Sequence, residues 1–146
     1  MDQDRTNRQL RLIAEVVRLT EQCGIPVWLR GGWAVDFALG EVTRDHRDID
    51  WFTGAATLPA LRTALTEHEF LPTPVNDETA QYEVTKTGED LQFALLAPNP
   101  DGAPTVAGGP YAGTAWPADL LDAPPGTIGD QTCPIISPER RSRSSR

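Results

Sequence analysis

Cysteine is scarce in this 146-residue chain: Cys23 and Cys133 are the only two. They lack metal-ligand spacing, a pattern that fits a reduced, cytoplasmic protein. No apolar run approaches the roughly 20 residues that span a bilayer, so no membrane partner is expected. The opening MDQDRTNRQLRLIAEVV begins acidic and polar, unlike a secretory signal. Basic charge is also scarce. The net charge is −8, and the tail RRSRSSR holds four of the thirteen basic residues, leaving nine against 21 acidic residues over 1–139. Such a surface repels nucleic acid, and no nucleic-acid partner is expected. It favours cationic partners or bound metal, or serves solubility alone.

What is present is organised in short alternating elements. TNRQLRLIAEVVRLTEQCG carries a helical stripe through Leu10, Ile13, Ala14 and Val17, ended by Gly24. IPVWLR reads as a buried strand with Pro26 at its entry, Gly31-Gly32 as a turn, and WAVDFAL as one or two helical turns closed by Gly40. RDIDWFT is a second strand, and TLPALRTALTEHEF a helix with Thr57 as N-cap. QYEVTKT and DLQFALLAP form a hairpin about TGED. From Pro98 the chain is rich in proline and glycine, with one more short strand expected within GTIGDQTCPIISPE. This order predicts an α+β fold with a mixed sheet, one domain over residues 1–139 and a disordered Arg/Ser tail over 140–146.

Asp48 and Asp50 stand two apart in the second strand, which predicts one shared face with Cα atoms about 6.5–7 Å apart. Two carboxylates so placed repel, and one is driven toward protonation unless a cation intervenes. Mg²⁺ accepts hard oxygen ligands and bridges to phosphate; Arg44, Arg47 or solvent could neutralise the pair instead. Upstream, Gly31-Gly32 between an apolar strand and a helical turn lets backbone N–H groups approach a phosphate, beside the positive end of a helix dipole. A third carboxylate would complete a two-metal site. Glu83, Glu89 and Asp90 are the candidates. Asp90 opens an apolar strand, Glu89 is expected to point to the opposite face, and Glu83 alternates with Tyr82 and Val84 as a solvated strand residue would.

The stretch WLRGGWAVDFALGEVTRDHRDIDWF resembles the signature of aminoglycoside and lincosamide nucleotidyltransferases, within the superfamily that shares the polymerase-beta palm fold. The matching positions are Gly31, Gly32, Trp33, Asp36, Gly40, Thr43, Arg44, His46, Asp48, Ile49 and Asp50, with weaker likeness in DLQF, WPADLLDA, GTIGD and SPE. The resemblance implies a palm-like fold with helices on one side of the sheet. It also implies transfer of a nucleoside monophosphate from a nucleoside triphosphate, ATP, to a hydroxyl of a small cationic antibiotic. Under that resemblance Asp48, Asp50 and Asp90 hold Mg²⁺ as a pair of ions, Asp90 also serving as candidate base. Gly31 and Gly32 contact the triphosphate, Arg44 is a phosphate contact, and His46 is a nearby polar partner. Trp33 is read as core or pocket wall, and Trp28, Trp51 and Trp116 are assigned to packing.

Two positions depart from the family pattern. Gln92-Phe93 stands where relatives often carry His-Pro, which bears on the substrate-side wall. Ser137-Pro138-Glu139 runs directly into RRSRSSR where relatives continue with a further helical segment, so a shortened chain is expected. Three readings follow: an antibiotic nucleotidyltransferase, a nucleotidyltransferase with another acceptor such as a natural product or a protein side chain, or a non-catalytic relative that binds nucleotide or a partner.

Overall fold

The computed structural model describes residues 2–98 and 103–137, so the expected domain limit at Glu139 and the Arg/Ser tail lie outside the described residues. Helix α1 (Gln3–Cys23) begins three residues before the expected stretch. The cause is Asp2, whose side chain accepts a hydrogen bond from the Arg5 amide at 3.0 Å and caps the first turn. Its apolar stripe, Leu12, Ile13, Val16, Val17 and Leu19, is buried. Strand β1 (Val27–Arg30) runs straight into α2 (Gly31–Leu39). The two glycines expected to turn the chain are therefore the first two residues of the helix itself.

Strand β2 (Ile49–Gly54) leads through a 3₁₀ turn (Ala55–Thr57) into α3 (Leu58–Glu67). Thr57 occupies the cap position, but its hydroxyl donates back to the Gly54 carbonyl at 3.2 Å instead of capping α3. Pro59, in the first turn, lacks one of the N–H groups a cap would have served. Strand β3 (Leu71–Thr73) was not expected, because Pro72 sits at its centre. It survives as an edge strand, paired only to β4. β4 (Gln81–Lys86) and β5 (Glu89–Ala97) form the expected hairpin. Their two-residue turn, Thr87-Gly88, has φ of 50° and 82°, the positive values that match the twist of antiparallel strands. β6 (Thr105–Val106) pairs with β5. β7 (Gly126–Ile128) and β8 (Gln131–Cys133) make a small separate hairpin where one strand was expected.

The main sheet runs β1-β2-β5-β4-β3, with β6 alongside β5. Only β2 and β5 are parallel; the other pairs are antiparallel, giving the mixed sheet predicted. Alternation sorts the two faces. Leu29, Ile49, Trp51, Leu91 and Phe93 are fully buried and join the helix residues in one core. Arg30, Asp50, Gln92 and Glu83 lie in one cross-strand row on the opposite face. The segment after β8 returns to β1: Leu29 N donates to the Pro134 carbonyl at 2.8 Å, and Ile136 N donates to Leu29 O at 3.1 Å.

A buried polar network ties α1 to β5. Glu89, 1% exposed, accepts from Arg5 Nε at 3.2 Å, Arg8 Nε at 2.9 Å and Gln9 Nε2 at 2.9 Å. It faces the helices, as its alternation with Asp90 predicts. Burial alone would raise its pKa. The donors from Gln9, Arg8 and Arg5 outweigh that and hold it below the ordinary carboxylate value. Replacing Glu89 by Leu is expected to cost about 2–3 kcal/mol at pH 7, because charge-assisted bonds are lost and their donors are left without the acceptor. The difference in urea midpoint between wild type and variant is present above the ordinary carboxylate pKa. It shrinks as pH falls through the lowered value of Glu89.

Candidate active site

The site forms where the C-terminal end of β1, the N-terminus of α2 and the start of β2 meet. Gly31 has φ of +71°, a left-handed value that favours glycine, and a Cβ there would stand 2.8 Å from Asp50 Oδ2. The Asp50 carboxylate thus lies directly against the Gly31 backbone. Gly32 is crowded from the other side. A Cβ on it would lie 2.5 Å from Arg44 Nη2 and 2.6 Å from His46 Nδ1. Both glycines are needed for close approach, and the N–H groups of the first turn of α2 lack partners within the helix.

The loop between α2 and β2 is held from within. Asp36, 1% exposed, accepts from Thr43 N at 3.1 Å and from Thr43 Oγ1 at 2.6 Å. His46 Nε2 lies 2.6 Å from Asp36 Oδ2. An ionised carboxylate can only accept, which puts a proton on that nitrogen. Burial acts to raise the Asp36 pKa; hydrogen bonds from Thr43 and His46 overcome it and leave the group lowered. His46 is itself buried, with its ring 4.5 Å from that of Trp33. It therefore reaches the cradle through Gly32, whereas Arg44 is exposed at its mouth.

Asp48 stands one residue before β2 and Asp50 is its second residue. Burial pushes the Asp50 carboxyl above its ordinary pKa. Asp48 adds to that, Arg30 opposes it, and Glu83 adds a smaller push. The parallel register sets Ile49 opposite Leu91 and Asp50 opposite Gln92. One step earlier on each strand stand Asp48 and Asp90. Asp90 is exposed and, two residues from Gln92, shares the face of Asp50. Glu83 pairs opposite Gln92 and is half-buried on that face, so it is no simple solvated residue. The donor chemistry fits a hard divalent cation: carboxylate oxygens, with Asp50 pushed toward protonation by burial and by Asp48. Among the described residues, however, no group of three His, Cys, Asp or Glu side chains is gathered closely enough to hold a metal ion. Asp48 and Asp50 stand side by side at the start of β2, and Asp90 flanks them along the sheet.

A cavity of about 390 Å³ opens beside Gly31 and Asp50 over the sheet. Its polar groups are Arg30, Asp50, Gln81 and Gln92; Phe52, Trp116, Leu120 and Ile136 supply the apolar part. The Arg30 guanidinium lies 4.3 Å from the centre of the Phe52 ring and 5.9 Å from that of Trp116. Trp116 meets Phe52 edge-on at 5.2 Å. Sequence reasoning missed Arg30 and Gln81, marked Gln92 as a departure that bears on the substrate-side wall, and assigned Trp116 to packing. Alternation of Arg30 with buried Leu29, immediately before the glycines, was the signal available.

The fold is that of the nucleotidyltransferases. It matches the lincomycin-bound lincosamide antibiotic adenylyltransferase LnuA with a TM-score of 0.74 at 25% identity, covering 88% of this chain and 80% of that one. ANT(2'')-Ia in complex with adenylyl-2''-tobramycin matches with a TM-score of 0.73 at 24% identity, covering 89% and 70%. The family model for aminoglycoside-2''-adenylyltransferase matches residues 12–144, and the chain belongs to that family. A 2''-aminoglycoside nucleotidyltransferase of Klebsiella pneumoniae is 30% identical over 152 residues, covering 94% of this chain and 84% of its own. One from Escherichia coli is 28% identical over 156 residues, with the same coverage. The protein is accordingly a nucleotidyltransferase enzyme.

Two substitutions test the geometry. Asp50→Asn is expected to raise the Tm of the cation-free protein at pH 7 by a few degrees, because a buried charge facing Asp48 and Glu83 is removed. That gain disappears as pH falls below the ordinary carboxylate pKa, where Asp50 is protonated folded and unfolded alike. Gly32→Ala is expected to cost about 1–3 kcal/mol. Arg44 can swing away from the new methyl, but His46 is held by Asp36.

Proposed function

We propose that this protein transfers an adenylyl group from ATP to a hydroxyl of an aminoglycoside-type antibiotic, with Mg²⁺ held by Asp48 and Asp50 and flanked by Asp90. The observation that supports it most is the Asp50 carboxylate resting on the Gly31 backbone with Asp48 beside it. A phosphate cradle and a cation platform are thereby adjoining parts of one site.

In the reaction, the acceptor hydroxyl oxygen attacks the α-phosphorus, the bond to the β-phosphate oxygen breaks, and pyrophosphate leaves. Gly31 and Gly32 present backbone N–H groups to the triphosphate, and Arg44 at the mouth adds a positive charge. Asp48 and Asp50, flanked by Asp90, would hold the divalent cations, and the positive charge those ions would supply suits a triphosphate and its pyrophosphate leaving group. Asp90, exposed on the same face, is placed to take the hydroxyl proton as it is lost. Asp36, Thr43 and His46 keep the cradle and the strand in register, which matters because such transfer depends chiefly on positioning. Phe52 and Trp116 offer aromatic surface, and Gln81 and Gln92 offer amides, to whatever fills the cavity.

One observation favours a second acceptor class. Among the described residues Asp50 is the only carboxylate lining the cavity, with Arg30 beside it; the remainder is amide, aromatic or aliphatic. Such a wall suits a weakly charged acceptor better than a polycation, and the lincosamide adenylyltransferase this chain resembles was solved bound to lincomycin. Measuring pyrophosphate release from each nucleoside triphosphate with Mg²⁺, across aminoglycosides and lincosamides, separates the two. Release with ATP and one antibiotic class is expected. Asp48→Ala and Asp50→Ala should each lower kcat by about 10³-fold or more. Triphosphate binding without release on any acceptor would overturn the assignment of catalysis.

A further inference from the structure

The side-chain amide of Gln9 is 1% exposed and sits where three motif segments converge. Its Nε2 donates to the His46 carbonyl at 3.0 Å and to Glu89 Oε1 at 2.9 Å, and its Oε1 accepts from Trp33 Nε1 at 3.1 Å. The orientation is fixed by chemistry: the indole N–H can only donate, while the carbonyl and the ionised carboxylate can only accept. Trp33 follows Gly32 directly. His46 lies two residues before Asp48, and Glu89 immediately precedes Asp90. One amide therefore binds the segments that carry the cradle, the aspartate pair and the third carboxylate.

The outer part of the network links Glu89 to the Arg47 carbonyl through Arg5 but does not reach Trp33. Arg5 and Arg8 hold Glu89 from the surface, each with about a third of its side chain exposed at 37% and 36%. Arg5 also donates to the Arg47 carbonyl at 2.9 Å. Trp33 and the His46 carbonyl are linked to Glu89 through Gln9. Helix α1 contributes no group to the cavity lining, so any effect of Gln9 on turnover must act through the segments it joins.

We propose that Gln9 is a positioning residue that sets the spacing between the Gly31-Gly32 cradle, the Asp48–Asp50 platform and Asp90. This rests on the adenylyl-transfer reading of the site. Gln9→Met keeps the length of the side chain and deletes all three hydrogen bonds. Val16→Ala, an apolar truncation in the same helix, is a control that loosens α1 without touching the network.

The experiment compares the three proteins well below their Tm. It reads kcat and both KM values, and by calorimetry the affinity for a non-hydrolysable ATP analogue with Mg²⁺. Gln9→Met is expected to lower kcat about 10- to 100-fold and analogue affinity about tenfold, since small misplacements carry such costs. Val16→Ala lowers Tm and leaves both unchanged. If Gln9→Met lowers Tm but matches Val16→Ala in kcat and affinity, the proposal is overturned. If Gln9→Met does not fold, Trp33→Phe, which deletes the indole donor together with part of the buried ring, takes its place and is read against Val16→Ala. A kcat reduced at least about threefold supports the proposal, and an unchanged kcat overturns it. A wild type that releases no pyrophosphate with any acceptor defeats the transfer reading instead, and the analogue affinities alone then decide the role of Gln9.

Discussion

The parallel pairing of β2 with β5 is the constraint on which the rest depends. Among the named strands of the described residues it is the one parallel pair, and its register sets Asp50 beside Gln92 with Asp48 and Asp90 two residues earlier. A slip of one residue would carry Asp50 into the core and Trp51 into the cavity. The register is held on the buried side by Ile49, Trp51, Leu91 and Phe93, with Trp51 and Phe93 stacked at 6.0 Å between ring centres. Apolar packing on one face thus fixes where charge stands on the other.

The charged face is itself a compromise. Asp50 is kept partly buried against Gly31 with Asp48 and Glu83 nearby, and only Arg30 offsets them. Such an arrangement stores repulsion that a bound cation relieves. Behind it the opposite policy holds: Asp36 and Glu89 are fully supplied with donors and lowered in pKa. Asp36 and Glu89 are satisfied by donors behind the sheet, whereas Asp50, on the cavity side, is raised by burial and by Asp48.

The motif glycines and aspartates were legible in the sequence because their chemistry depends on local spacing. A strand, two glycines, a helix and a second strand with two aspartates lie within about 25 residues of chain. The hairpin at Thr87-Gly88 and the apolar stripe of α1 were legible for the same reason. Less so were β3, hidden by Pro72, and the true start of α2, because two glycines look like a turn until a helix is seen to use them. Gln9 left a faint trace as a polar residue three and four positions before Leu12 and Ile13 on the buried stripe. Its three partners, 24, 37 and 80 residues away, left none.

By itself the sequence determined the family and the mixed α+β fold: a strand, two glycines, a helix and a second strand with two aspartates, in an acidic chain. Those features are local, and local geometry follows from residue type and spacing. Only the tertiary structure decided which carboxylates share a face, that Glu83 stands with them, and that Arg30, Phe52 and Trp116 wall the cavity. Cross-strand register and the return of residues 134–136 to β1 arise from packing between distant segments, and no spacing along the chain encodes them.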